Sequence, residues 1–102
     1  MKKPEQGQLL EWIQRSRQGD PEAQEALILA AQNRVYYHCK KMLKQEQDAQ
    51  DAAQDVLITM ITSLDKLKEP AAFWGWVNGI TANRCRHLLS APHKEWQIPE
   101  DE

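Results

Sequence analysis

His38-Cys39 and Cys85-Arg86-His87 are the residues of this sequence with metal-binding chemistry. Together they offer two thiols and two imidazoles, the donor number of a tetrahedral zinc site. Neighbouring helical residues diverge by about 100°, so His38 and Cys39 converge poorly on one ion, and a structural role in the core or on the surface is the better account. Asp48, Asp51 and Asp55 form a spaced acidic series, but no nucleophile accompanies them. The chain also lacks a glycine-rich phosphate loop, Cys-x-x-Cys and His-Glu-x-x-His. No enzyme activity, metal or other cofactor is therefore expected.

Two other groups have the chemistry of binding. On a helix whose inward stripe contains Ala53, Val56 and Met60, the residues Asp51, Gln54, Asp55 and Ile58 take the opposite side, with Ile58 about 180° from Ala49. An isoleucine framed by two carboxylates and an amide has the form of a partner-binding centre with a polar rim; a single exposed isoleucine is equally ordinary on a soluble surface. Trp74 stands at the margin of another inward row, close in sequence to Lys66 and Lys68. An indole can stack on an unpaired base while lysines hold phosphates, although it can equally cover a helix end.

These residues need helices to position them. Gly19-Asp20-Pro21 combines a helix-ending glycine, an N-cap aspartate and a proline suited to the first helical turn. It separates a short helix carrying Leu9, Leu10, Trp12 and Ile13 from a long one over 21 to about 44. The latter shows Leu27, Ala31, Val35 and Met42 on one row and Leu29, Tyr36, Tyr37 and Leu43 elsewhere, so it should pack against more than one neighbour. Over 48–66, Ala49, Ala52, Ala53, Val56, Leu57, Met60, Ile61 and Leu64 keep three-four spacing, with Asp48 placed as N-cap. Pro70 closes the loop Lys66-Leu67-Lys68-Glu69 and opens a helix over about 71–90, with Phe73, Trp76, Val77, Ile80 and Leu88 inward. The expected fold is all-α: a compact bundle of three main helices plus a short N-terminal helix. Residues 1–90 form the domain and 91–102 an acidic linker or tail.

The 102 residues fit one domain, and the apolar content of 41% excludes general disorder. No run is long and apolar enough for a membrane span, and the start lacks a secretory signal, so a cytoplasmic setting is expected. Net charge is only -2. It is distributed in blocks: residues 34–45 carry four cations and no anion, and 46–65 carry five anions and no cation. The blocks suit solvated helix faces as well as binding surfaces.

The order Gly19-Asp20-Pro21-Glu22-Ala23, then Asp48-Ala49-Gln50-Asp51-Ala52-Ala53-Gln54-Asp55-Val56, then Phe73-x-x-Trp76-Val77-x-x-Ile80-x-x-Asn83 resembles the second conserved region of bacterial sigma factors. The extracytoplasmic-function (ECF) type is the nearest group, and the resemblance spans about residues 9–90. It implies a helical domain of a transcription initiation factor. One surface would dock on the clamp helices of the beta-prime subunit of the RNA polymerase core, through Asp48, Asp51, Gln54 and Asp55, the face on which Ile58 stands out independently.

The resemblance further implies that the loop from Lys66 to Ala72 and the following helix, with Asn78, Ala82 and Arg86, capture flipped bases of the non-template strand of the minus-ten promoter element. Trp74, Lys66 and Lys68 join that surface. An anti-sigma factor is a further partner expected from the family, and a minus-35-binding helix-turn-helix domain is expected beyond residue 102. The sequence departs from the family pattern at His87, usually acidic, and at Ser90, usually arginine. Gly75 and Gly79 loosen the DNA-facing helix. The alternative is a helical protein-interaction module or diverged transcription regulator without its own promoter-binding activity.

Overall fold

The computed structural model describes residues 5–90, which form four α-helices. They are α1 (Gln6–Arg17), α2 (Pro21–Leu43), α3 (Glu46–Thr62) and α4 (Phe73–Ser90). Two single turns of 3-10 helix, Leu64–Lys66 and Pro70–Ala72, connect α3 to α4. The described residues contain no strand, in agreement with the all-α expectation. The acidic segment 91–102 lies outside them.

The α1–α2 corner follows from local chemistry. Gly19 adopts φ +88°, a conformation that spares glycine the steric penalty of a Cβ. Asp20 then caps α2: its Oδ1 accepts from the Glu22 amide at 3.0 Å, and Pro21 fills the first helical position. Its other oxygen, Oδ2, takes Arg15 Nη2 at 2.7 Å, pinning the end of α1 to the start of α2.

The α2–α3 corner differs from the sequence expectation. The helix starts at Glu46, two residues before Asp48, and Gln45 occupies the N-cap position without a side-chain hydrogen bond. Asp48 is instead an acidic residue of the first turn, where it and Glu46 complement the helix dipole. The turn is made by Lys44 at φ 69°, whose amide still bonds to the Lys40 carbonyl. A left-handed lysine carries no signature in the sequence, so the short corner was legible only in three dimensions.

Helix α2 is 23 residues long and packs against α1, α3 and α4. Its buried row is Ala23, Leu27, Ala31, Val35 and Cys39. Met42 is half-buried, and Leu29 and Tyr37 face solvent. The i, i+4 row drifts around the helix, so one flank meets α3 and the other α4. Ala49, Ala52, Ala53, Val56 and Met60 bury the α3 stripe as expected. On α4 the fully buried row is Phe73, Val77, Thr81 and Cys85, each four residues apart. Trp76, Ile80 and Leu88, expected inward, are half-buried at its margin. Thr81 tolerates burial because its hydroxyl donates to the Val77 carbonyl at 2.8 Å.

The connection before α4 is anchored from both sides. Leu64 and Leu67 insert into the core at 2% and 4% exposure. Their carbonyls accept hydrogen bonds from Arg17 at the end of α1, Leu64 from Nε at 3.2 Å and Leu67 from Nη2. Lys66 and Lys68 flank Leu67 and remain exposed.

Candidate functional site

The α3 residues expected at a protein interface divide in two. Asp51, Gln54 and Ile58 share the outward face, with Ile58 56% exposed. Ile58 is not isolated. With Leu57, Ile61, Gln54 and Thr62 of α3 and Ile28 of α2 it lines a cleft of about 330 Å³. A second shallow cavity, lined in part by Gln32, Tyr36, Gln50 and Gln54, continues along the same α2–α3 seam. Gln54 touches both. The arrangement is an apolar centre rimmed by amides and the Asp51 carboxylate, which accepts from Gln47 Nε2 at 3.1 Å.

Asp55 belongs elsewhere. It is half-buried on the flank toward α4, where its Oδ2 lies 2.7 Å from Arg84 Nη2. Asp48 is exposed on that same flank, about 80° from the Ile58 line. Asp55 and Arg84 thus join α3 to α4, and the outward acidic face is narrower than the sequence pattern suggests. The physical cause is a partner 29 residues away, invisible to helical periodicity.

The residues expected to meet nucleic acid line one flank of α4. Trp74, Asn78, Ala82 and Arg86 are spaced by four, so they share a strip beside the buried row. Trp74, Asn78 and Ala82 are half-buried and Arg86 is exposed. The strip does not face open solvent at its start. Arg34 of α2 lies over the Trp74 ring, its guanidinium carbon 4.9 Å from the centroid. Arg34 Nε also points to Asn78 Oδ1 at 3.5 Å. The Trp74 ring meets Phe73 edge-on at 5.0 Å, which fixes its orientation from the core side. Arg86 donates to Asn83 Oδ1 at 2.7 Å.

Sequence reasoning placed no α2 residue in this surface. Arg34, Tyr37, His38, Lys41 and Met42 border it, together with Asn78. The signal was available as the acid-free cationic block 34–45, but assigning it to the α4 side required the phase of α2 in the bundle.

The described residues contain no cluster of three or more histidine, cysteine or acidic side chains placed to hold a metal ion. Cys39 and Cys85 are both fully buried, whereas His87 is exposed. Burial pushes the Cys39 thiol up to about 12, with a hydrogen bond to Cys85 adding to the effect. Such a thiol behaves as a small core side chain. No helix among the described residues is long and apolar enough to cross a membrane.

With two distinct surfaces in place on an all-α bundle, comparison with known proteins is decisive. The family model described as Sigma-70 region 2 matches residues 27–93, about two thirds of the chain. The chain belongs to the Sigma-70 region 2 family. It is also similar to the RNA polymerase sigma-H factor of Pseudomonas aeruginosa, with 31% identity over 84 residues. That alignment covers 82% of this chain and 42% of the relative, so the chain spans less than half of that protein's length. No solved structure matches it. The matched segment takes in most of α2 and the whole of α3, the connecting turns and α4 of this sigma-region-2 domain. Helix α1 lies ahead of the family match and supplies Arg17, which holds the loop between α3 and α4.

Proposed function

We propose that this sigma factor domain, of the ECF type, docks on the RNA polymerase core through the α2–α3 seam. We further propose that it captures unpaired non-template bases of a minus-ten element with the Lys66–Ala72 loop and α4. The observation that carries the docking half is the exposed Ile58 in its apolar cleft, with Gln54 and Asp51 at the rim. A partner helix laid along the seam can cover Ile28, Leu57, Ile58 and Ile61 while its polar groups meet the rim, the helix-in-groove mode of recognition. The beta-prime clamp helices are the partner implied by family membership. Asp51, Gln54 and Ile58 form the contact, with Asp48 at its margin, while Asp55 supports it by tying α3 to α4.

The DNA half uses Lys66 and Lys68 on a loop anchored by Leu64, Leu67 and Arg17. A fixed loop beside an aromatic ring allows a flipped base to be trapped with little further ordering. An anti-sigma factor that covered either surface would silence the domain.

Binding of a fluorescent beta-prime clamp-helix fragment tests the docking half. Ile58→Asp should abolish it, and Gln54→Ala or Asp51→Ala should weaken it, with helical circular dichroism unchanged. Retention by all three variants refutes the surface. A labelled non-template oligonucleotide with the cognate minus-ten sequence should bind more tightly than a scrambled one, and equal affinity refutes sequence-specific capture.

A second reading, a protein-interaction module without promoter binding, is favoured by the state of the α4 arginines. Arg84 is engaged by Asp55, and Arg86 is bonded to Asn83. Binding of the clamp fragment with no binding of any single-stranded oligonucleotide would establish it.

A further inference from the structure

Helix α4 contains no acidic residue, and neither does the facing second half of α2 from residue 34 onward. Between them runs a groove of about 500 Å³ lined by Arg34, Tyr37, His38, Lys41, Met42 and Asn78. We propose that this groove is a track for single-stranded DNA, so that α2 as well as α4 contacts the captured strand. The proposal rests on the DNA-binding half of the function proposed above and adds a binding site on a helix to which that function assigns only polymerase docking.

Four observations carry it. Among the described residues, Arg34, His38 and Lys41 have no carboxylate partner, because every ion pair there involves Arg15 or Arg84. Two unneutralised cations, Arg34 and Lys41, beside no anion favour a polyanion. Tyr37 is 65% exposed, so its ring is accessible to a base. Its ring stands edge-on to Tyr36 with centroids 5.5 Å apart, which supports it from the side. The groove also adjoins the expected capture surface through Arg34, which spans from the Trp74 ring to Asn78.

These parts fit the chemistry of a single strand. Lys41 and His38 hold phosphates, Tyr37 presents a ring on which any base can stack, and Arg34 links the groove to Trp74. Duplex DNA lacks the free base faces that Tyr37 would need. The α2 cations also supply positive charge to a surface on which Arg84 and Arg86 are already bonded within α4 and α3.

The test is fluorescence anisotropy on the full 102-residue chain with a labelled single-stranded oligonucleotide carrying the minus-ten sequence. Tyr37→Ala should weaken binding about fivefold or more, the loss of one stacked base. Lys41→Ala should weaken it and reduce the slope of log affinity against log salt by about 0.7, the value for one phosphate contact on a single strand. Lys40→Ala is the control: it removes the same charge one residue away, rotated by about 100° off the groove. It should have less effect than Lys41→Ala. Equal effects from Lys40→Ala and Lys41→Ala, with none from Tyr37→Ala, would mean diffuse attraction and overturn the track.

The double variant Lys66→Ala/Lys68→Ala separates this inference from the reading it rests on. If that variant loses binding while Tyr37→Ala and Lys41→Ala do not, capture by the loop stands and the α2 track fails. If the parent chain does not bind the oligonucleotide, both fail. A 5-bromouracil photo-crosslink mapped to Tyr37 supports the track directly, and its appearance on Trp74 alone counts against it.

Discussion

Arg17 sits at the end of α1, 47 and 50 residues from the two carbonyls it holds, and its replacement tests how the nucleic-acid loop is positioned. In Arg17→Ala the carbonyls of Leu64 and Leu67 lose a charged donor. Hydrogen bonds to charged groups contribute about 1.5–3 kcal/mol each. The Arg17 side chain is exposed and water can replace part of what is lost, so we expect about 1–3 kcal/mol for both together. For a domain of this size that corresponds to a fall in Tm of about 5–15 °C. The opening should be local before it is global. The amides of Lys66 and Leu67, bonded within the 3-10 turn to Ser63 and Leu64, should exchange with deuterium faster than those of α2.

Arg17→Lys distinguishes position from charge. Lysine keeps the cation but lacks the planar fork that serves two acceptors at once. If Arg17 acts by positioning, Arg17→Lys should resemble Arg17→Ala in exchange and in oligonucleotide affinity. Two results would refute the reasoning. One is a stability change below about 0.5 kcal/mol in Arg17→Ala with unchanged Lys66 and Leu67 exchange. The other is full oligonucleotide affinity in Arg17→Lys alongside loss in Arg17→Ala, which would make Arg17 a simple phosphate attractor.

Three further outcomes are expected. Hydrogen bonding from Arg15 and from the Glu22 amide holds the Asp20 carboxyl below its ordinary 3.8, so its contribution to stability is present above that pH and is lost as pH falls through the lowered folded value. Asp20→Asn should therefore lower the urea midpoint at pH 7, with the difference from the parent closing as pH falls through the lowered folded value. With its thiol raised to about 12 by burial, native Cys39 should react with a thiol reagent at pH 8 only as fast as the chain opens, and rapid stoichiometric labelling would contradict the buried α2–α4 contact. A Cβ at Gly79 would meet nothing within 4 Å, so Gly79→Ala should stabilise α4 by about 0.5–1 kcal/mol in thermal melts. If the same change weakens oligonucleotide binding, the glycine provides close approach to the strand.

How far the site was legible in the sequence differed from residue to residue. Ile58 was placed outward correctly because α3 is regular and its stripe of Ala49, Ala52, Ala53, Val56 and Met60 sets the phase without help. Asp55 was placed on the same outward face and proved to be bonded to Arg84, since periodicity reports angle around a helix and says nothing of which neighbour stands there. Trp76 and Ile80 were read inward from three-residue spacing, while burial follows the four-residue row Phe73, Val77, Thr81 and Cys85. Thr81 went unnoticed because a hydroxyl side chain does not announce itself as a core residue by hydropathy.

Local chemistry in the chain determined the helices, their order and the α1–α2 corner, because caps, glycine and apolar spacing act within a few residues. It also determined the family, since the Asp-x-x-Gln run and Phe-x-x-Trp are linear patterns. Only the tertiary structure decided which flank of α2 meets α3 and which meets α4. That choice puts the apolar cleft around Ile58 on one seam and Arg34, His38 and Lys41 on the other. It depends on how a drifting row from Ala23 to Cys39 rolls α2 across three partners at once, a property of the whole core rather than of any segment.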